Sequence, residues 1–501
     1  MTLPKISFVK GQGGLNRSLP GEDYISGAIF YDTTTTPTGF STNKIQKILN
    51  IVDAENLGIL NDYSDGTKAT SQLVVGTTGA TNDRLYLSVG IDGAYWTLCD
   101  YYSVGSLHLI DEATAIAAAI NSLTYQHNFT ATVASGSTIT ISAPVGSGYH
   151  ANSYTLVKSI TGIMGLTGTL AFTGGVGSKL SFYHYQIAEF FRFSPNGVLW
   201  TMFSTGSTFA PDVLSLQQSA EGKLRQIAVY QSAVNTLTTG NVSSLHNAII
   251  STEATYGVSF NALYSTSSIQ TLAELPDLST LSCNKVSVVI GEGLSGEALK
   301  IKKALNKSVP SLGSALGVLA SSNVAEDIAW VGKYNLSDGT ELEIAGFQTH
   351  ENVNNVSVNL LEQLNGYRYI YLRKFVGVTG TFFNDSNVSI ASSSDYAYIE
   401  NNRTIDKAIR QVKTALFPQL NSPIDLNADG TLTDVTIAFF KSLSNTALEN
   451  MFRNGELSAY STSISNTQDV LSTSTINIVI AIVPKGVARQ IIVNIGFTTK
   501  L

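Results

Sequence analysis

Hydrophobic and polar positions alternate most regularly near the C-terminus. Ile476, Ile478, Ile480 and Ile482 fall on one side of an extended chain, with Asn477, Val479, Ala481 and Val483 on the other. Pro484-Lys485-Gly486 breaks the run, and Ile491, Val493, Ile495 and Phe497 resume it. Period two in a β-branched run is a strand signal, so two strands joined by a short turn are predicted. A lone hairpin is marginal in water, and an apolar strand at a chain end offers unpaired N–H and C=O groups to any open sheet edge. This hairpin therefore completes a sheet of its own fold or one of a neighbour.

The other chain end carries a similar, shorter signal. Ile6 and Phe8 alternate with Lys5, Ser7 and Val9, followed by the tether Gly11-Gln12-Gly13-Gly14 and a turn at Pro20-Gly21. Residues 1–20 read as an extended arm. YISGAIFY from Tyr24 is a strand. The stretch from Thr42 to Ile59 reads as one helix, with Ile45, Ile48, Leu49 and Val52 on a stripe and Gly58 as its stop. From 72 to 178 the composition turns to short Ser/Thr strands around an alanine-rich helix at Asp111–Asn121, with glycine-rich stretches on both sides. This reads as an inserted small α+β domain. Residues 21–71 and 180–354 read as a middle α/β domain, because the apolar runs LRQIAVY, VSFNALYS and KVSVVIGEG alternate with helical patterns, the mark of a mostly parallel sheet. From 355 to 501 come a strand pair, a helix opening near Arg403, a turn at 425–434, a helix from Val435 to Arg453, and the terminal hairpin. The fold class is mixed α+β and α/β, in several domains.

Composition changes this picture in one respect. Only 13% of the 501 residues are charged, about half the ~25% usual for a soluble domain. Thirty Lys and Arg against 37 Asp and Glu leave a net charge of −7, which argues against broad nucleic-acid binding. No apolar run reaches the ~18 residues of a membrane helix, so direct membrane insertion is not expected. MTLPKISFVKGQGG has no apolar signal core. A chain so poor in charge either tolerates a Ser/Thr/Gly surface or covers much of it with partners, since interface cores are depleted in charge in the same way.

The candidate chemistry is sparse. Gly291-Glu292-Gly293-Leu294-Ser295-Gly296 follows a strand and precedes a helix, the setting in which glycines cradle a pyrophosphate. It lacks the acid expected ~20 residues on, and Glu292 is a poor neighbour for phosphate, so a tight turn is favoured over a nucleotide site. Asp425-Leu426-Asn427-Ala428-Asp429-Gly430 matches the first half of a calcium loop, but Thr436 stands where a bidentate Glu should, which favours an Asx/Gly turn. The histidines are scattered, no G-x-S-x-G elbow marks a nucleophile, and Cys99 and Cys283 read as small buried hydrophobes. No catalytic, cofactor or metal residue is assigned. Arg403, Lys407, Arg410 and Lys413 concentrate base on one helix face, either a solvated face or a docking stripe for an acidic partner.

Several segments carry a resemblance: LPGEDYISGAIFY, IVDAENLGI, LRKFVGVTGTFFND, SDYAYIENNRTIDKAIRQVKTALFPQLNSPI, GTLTD and IAIVPKGVARQIIVNIGFT. Together they resemble the contractile tail sheath proteins, in particular the sheath-like group once described only as a domain of unknown function. The resemblance covers both ends and most of 355–501 and is weaker in the middle. It implies a non-enzymatic subunit without cofactor, whose two ends form a discontinuous inner domain. It implies hexameric rings stacked around a tail tube protein, with baseplate and terminator or cap proteins as further partners and no nucleic acid. Such a particle, a virion tail or injection system, would be assembled in the bacterial cytoplasm. Extended arms add strands to neighbouring subunits, which maps here onto Ile6, Phe8, Ile491, Val493, Ile495 and Phe497. On this reading Arg403, Lys407, Arg410 and Lys413 face the tube. The alternative is a nucleotide-binding α/β enzyme built on Gly291–Gly296.

Overall fold

The computed structural model describes residues 22–134 and 136–497. The short strand expected at Ile6 and Phe8 lies outside the described residues.

Ile25–Tyr31 is buried along its whole length, as a strand covered on both faces must be. It lies inside a seven-stranded sheet. Val198–Ser204 and Gln226–Gln231 flank it in parallel, and Asn261–Thr266, Val286–Val289 and Tyr369–Ile370 extend the parallel run on one side. Between these strands the apolar runs end in polar turns and resume as helices, among them Phe209–Ser219 and Thr239–Tyr256. Helix Leu312–Ser321 is buried almost throughout and packs on helix Lys179–Phe193. Gly313 and Gly317, one turn apart, allow that approach, because a Cβ at either would collide with the carbonyl oxygen of Gln186 or Phe190. The Gln186 side chain secures the contact by donating to Pro310 O (2.9 Å) and accepting from Gly313 N (2.7 Å).

The single helix expected from Thr42 to Ile59 is not formed. Ile45–Ile48 is a strand that closes the sheet antiparallel to Val198–Ser204, and only Ile51–Asn56 is helical. Asn50 separates the two: its side chain accepts from Asp53 N and starts the helix afresh. Ile45 and Ile48 are buried from the strand, while Leu49 and Val52 are exposed.

A second core, from Ala69 to Phe172, lies apart from the first. Helix Leu109–Ser122 buries Ala113, Ile116, Ala117 and Ile120 in it. Two sheets complete this unit. One runs Thr130–Val133, Thr138–Ser142, Thr70–Thr77, Gly165–Gly168, and the other Ala94–Tyr102, Arg84–Ile91, Thr155–Thr161. Thr67 pairs with Val176 where the chain enters and leaves. The unit leans on helix Gly296–Leu305, where Lys303 meets Asp92 at 3.0 Å.

The C-terminal part pairs helices Ile399–Leu416 and Asp434–Arg453 with a small sheet around Ala408, Leu448, Met451 and Leu457. The terminal hairpin differs from expectation. Val479–Pro484 pairs backward with Leu457–Ser463, and Ile491–Phe497 forms no strand in its own chain. Ile480 and Ile482 pack on the small core from one face. Pro484 then ends the ladder, since it has no N–H to give.

The adjacent crossings at Thr67 and Val176 make excision testable. Joining Gly66 to Gly177 through a short Gly/Ser linker should leave a remainder that melts cooperatively with its circular dichroism kept. A non-cooperative melt would mean that the main core needs the inserted one.

Candidate functional site

The glycine loop is the first place to look for a bound ligand, and its own side chains fill it. Gly291–Gly293 is a short strand paired with Ala345–Phe347. Glu292, fully buried, accepts from Lys302, from the Ser308 hydroxyl and from Val309 N (3.0 Å). Lys302, equally buried, also donates to Phe347 O at 3.0 Å. At the start of helix Gly296–Leu305, where a phosphate would meet free N–H groups, the Glu341 carboxylate accepts from Glu297 N and Ala298 N. Two internal carboxylates hold the positions a pyrophosphate would take.

The Asp425–Gly430 segment makes turn contacts. Asp429 accepts from Thr431 N (3.1 Å) and Oγ1 (2.6 Å), and Asn427 N donates to Thr431 O. Thr436 sits in the first turn of the next helix, capped by Thr433. Among the described residues no group of His, Cys, Asp or Glu could hold a metal ion. Cys99 and Cys283 are buried and free.

The basic stripe is corrected by burial. Arg403 is buried and donates to Leu319 O (2.8 Å) and Ser322 Oγ (2.7 Å). Lys407 is buried between Asp23 (2.8 Å) and Glu456 (2.5 Å), and Arg410 reaches the other oxygen of Asp23 at 2.7 Å. Only Lys413 is exposed, donating to Gly257 O. Arg403 and Lys407 are closed off inside this chain, so over those two residues the spacing that suggested a stripe follows an interior seam. Burial opposes ionisation of Asp23, but Lys407 and Arg410 outweigh it and hold its pKa below the usual range. Glu456 moves the other way: burial raises its pKa and Lys407 only partly offsets this.

The site that sequence reasoning missed is Arg489. It donates to Glu400 (2.6 Å), Asp385 (2.8 Å) and Asp327 (3.0 Å), and its guanidinium lies 3.4 Å from the ring centre of Tyr398. All three carboxylates are nearly buried. Residues 485–490 leave the sheet to reach this cluster and wall a cavity of about 1190 Å³ with Trp330, Leu361, Tyr371 and Phe375 opposite. Immediately beyond the clasp the apolar run is bare. Ile491 is 79%, Val493 69% and Ile495 91% exposed. The one signal in the sequence was a lone arginine inside an apolar, uncharged run.

Asp327 carries the electrostatic cost of the cluster. Burial first, then the neighbouring Glu400 and Asp385 charges, push its pKa up to about 7 against 3.8 for a free Asp, with Arg489 offsetting only part. The folded chain thus holds a proton there that the unfolded chain loses near pH 4, and its contribution to stability declines as pH rises from about 4 to 7. Asp327→Asn keeps an acceptor for Ala329 N and removes the titration. It should raise the melting stability at pH 8 by on the order of 1–3 kcal/mol and change little at pH 4. Equal effects at both pH values would refute the assignment.

The chain matches two family profiles in succession: DUF2586, N-terminal domain, over residues 67–387, and DUF2586, C-terminal domain, over residues 395–501. No curated protein matches it. Among solved structures it is similar to a chain of the anti-feeding prophage baseplate, at 15% identity and TM-score 0.45, covering 63% of this chain and 80% of that one. A chain of the contracted PVC sheath complex of an extracellular contractile injection system aligns at 13% and 0.41, covering 64% and 81%. A sheath tail protein of Listeria innocua aligns at 9% and 0.38, covering 92% and 94%. These likenesses are partial, all with TM-scores below 0.5. The two profile matches leave little of the chain outside them, and the chain belongs to the DUF2586 family.

Proposed function

We propose that this chain is the structural subunit of a contractile tail sheath, a non-enzymatic protein that polymerises with itself around a tube. The observation that carries the reading is the segment Ile491–Phe497. It alternates like a strand, has no partner strand among the described residues, exposes its apolar side chains, and leaves a root clamped by Arg489. Apolar alternation without a sheet is unfavourable in water, and backbone pairing with another copy resolves it.

Acceptor edges exist in the same chain. Leu457–Ser463 and Val479–Pro484 form a two-stranded sheet whose outer edges carry no further strand among the described residues. Such sheets are marginal by themselves and gain from a further strand. The low charge fraction of 13% also fits a subunit whose surface is largely covered by copies of itself. On this reading Ile6 and Phe8 supply a second donated strand. Rings stack around a tail tube protein between a baseplate and a terminator. Contraction is a switch between two packings of the same subunits, each interface differing by a few kcal/mol and the differences adding along the array. The resemblance and the unpartnered segment support this reading, whereas the filled loop at Glu292 leaves the nucleotide-enzyme alternative without a site.

Val493→Pro removes one ladder donor from the exposed segment while sparing the Arg489 clasp. The variant, and a chain ended after Gln490, should fold with unchanged melting yet form no rings or tubes by negative-stain microscopy, where the full chain forms them. Normal polymers from either, or failure of both to fold, would count against strand donation.

A further inference from the structure

The inserted unit turns one sheet face to solvent, and its chemistry is unusual. In the sheet of Ala94–Tyr102, Arg84–Ile91 and Thr155–Thr161, Leu85, Leu87 and Val89 point into the core. The alternate positions point out, and beyond Arg84, Asp100, Gly90 and Val157 they are all Tyr, Ser or Thr.

Three tyrosines set the character of this face. Tyr95 lies across Gly90 on the neighbouring strand, its ring 3.3 Å from where a Cβ would stand, with the residue 71% exposed. Its Cε1 and Cδ1 carbons sit over Gly90, and most of the side chain is open to solvent. Tyr86 is tied down through its hydroxyl to Thr97 Oγ1 at 2.6 Å. Arg84 is held by both oxygens of Asp100 (2.7 and 2.8 Å), with its guanidinium 5.7 Å from the ring centres of both Tyr86 and Tyr102. The rings and the fork are therefore oriented before any ligand arrives, which lowers the cost of binding.

The charge of the face narrows the partner. Arg84 and Asp100 are its only charges, and they neutralise each other. A nucleic acid or an anionic membrane needs an excess of cations, absent here. Val157 is the only aliphatic side chain, too little for the closed apolar centre of a protein interface. What remains is open aromatic faces, a planar fork and a row of hydroxyls. These match a neutral chain of sugar rings: its C–H faces pack on electron-rich rings, and its hydroxyls bond the fork directly or through water. Six residues separate the Arg84 and Gly90 levels, about 20 Å along the strand. That length suits a run of several sugars rather than a single one.

We propose that this face is a platform for a neutral polysaccharide, a binding function that does not depend on the sheath reading. The test is to apply the labelled full chain to a printed array of neutral and sulfated oligosaccharides. Binding to neutral chains of several rings is expected, without preference for sulfated ones. Tyr95→Ala/Tyr102→Ala should cut that signal about tenfold or more, while Tyr95→Phe/Tyr102→Phe, which keeps the ring faces, should hold it within about twofold. No binding to any neutral oligosaccharide, equal binding by the alanine variant, or binding to sulfated chains alone would overturn the proposal. Altered sedimentation of the alanine variant without any sugar would overturn it too, by making the face a contact between copies of the chain.

Discussion

The architecture depends on charges carried by one helix, Ile399–Leu416. Glu400 holds Arg489 and the Ser386 hydroxyl, Arg403 holds the end of helix Leu312–Ser321, and Asp406 pairs with buried Lys285 at 2.8 Å. Lys407 joins Asp23, just before the central strand, to Glu456, just before the C-terminal sheet. Stretches far apart in sequence thus converge on roughly two turns of one helix. Burying such charges adds little net stability, because desolvation offsets most of the attraction. Its effect is on geometry: a helix docked one residue out of register would leave several buried charges unpaired, each costing about 3–5 kcal/mol.

That seam also sets the direction of the exposed C-terminal segment. Arg489 is held by three nearly buried carboxylates, one of them from the same helix. The segment beyond it therefore leaves from a fixed point instead of hanging on a free tether. In the strand donation proposed above, a fixed root would remove part of the ordering cost of pairing with another copy. The excess of acid is the other side of this arrangement: burial first, and then the neighbouring Glu400 and Asp385, keep the proton on Asp327 to about pH 7.

Four strands of the central sheet, Ile25–Tyr31, Gln226–Gln231, Asn261–Thr266 and Val286–Val289, were legible in the sequence because they are continuous apolar runs, the form a doubly covered parallel sheet requires; Val198–Ser204 went unread and Tyr369–Ile370 was assigned to a separate strand pair. Three further features were not legible. Ile45 and Ile48 lie three apart and suit a helical stripe as well as a strand; Asn50, a strong cap, was the available signal. Leu312–Ser321 is apolar on every side, so it has no amphipathic period, and Gly313 and Gly317 lowered its apparent helix propensity. The stripe of Arg403, Lys407 and Arg410 was visible, but its meaning lay in Asp23 and Glu456, 384 and 49 residues from Lys407. A one-dimensional pattern records where charge is, not whether an acid from elsewhere will cover it. Glu292 was readable as a misfit among phosphate-binding glycines, and the fold resolves the misfit by pairing it with Lys302.

With 13% charged residues, this chain spends many of its ions inside. The surface left over is rich in serine, threonine and tyrosine, with bare apolar stretches at the chain end. Contacts made by such a surface rest on backbone pairing and apolar burial, which salt does not screen. Ion pairs at an exposed interface would weaken as the screening length falls to about 8 Å at physiological ionic strength. Under the proposed strand donation, folding and assembly are separated: the first is specified by electrostatics in the dry seam, the second would be specified by ladders at the open edges.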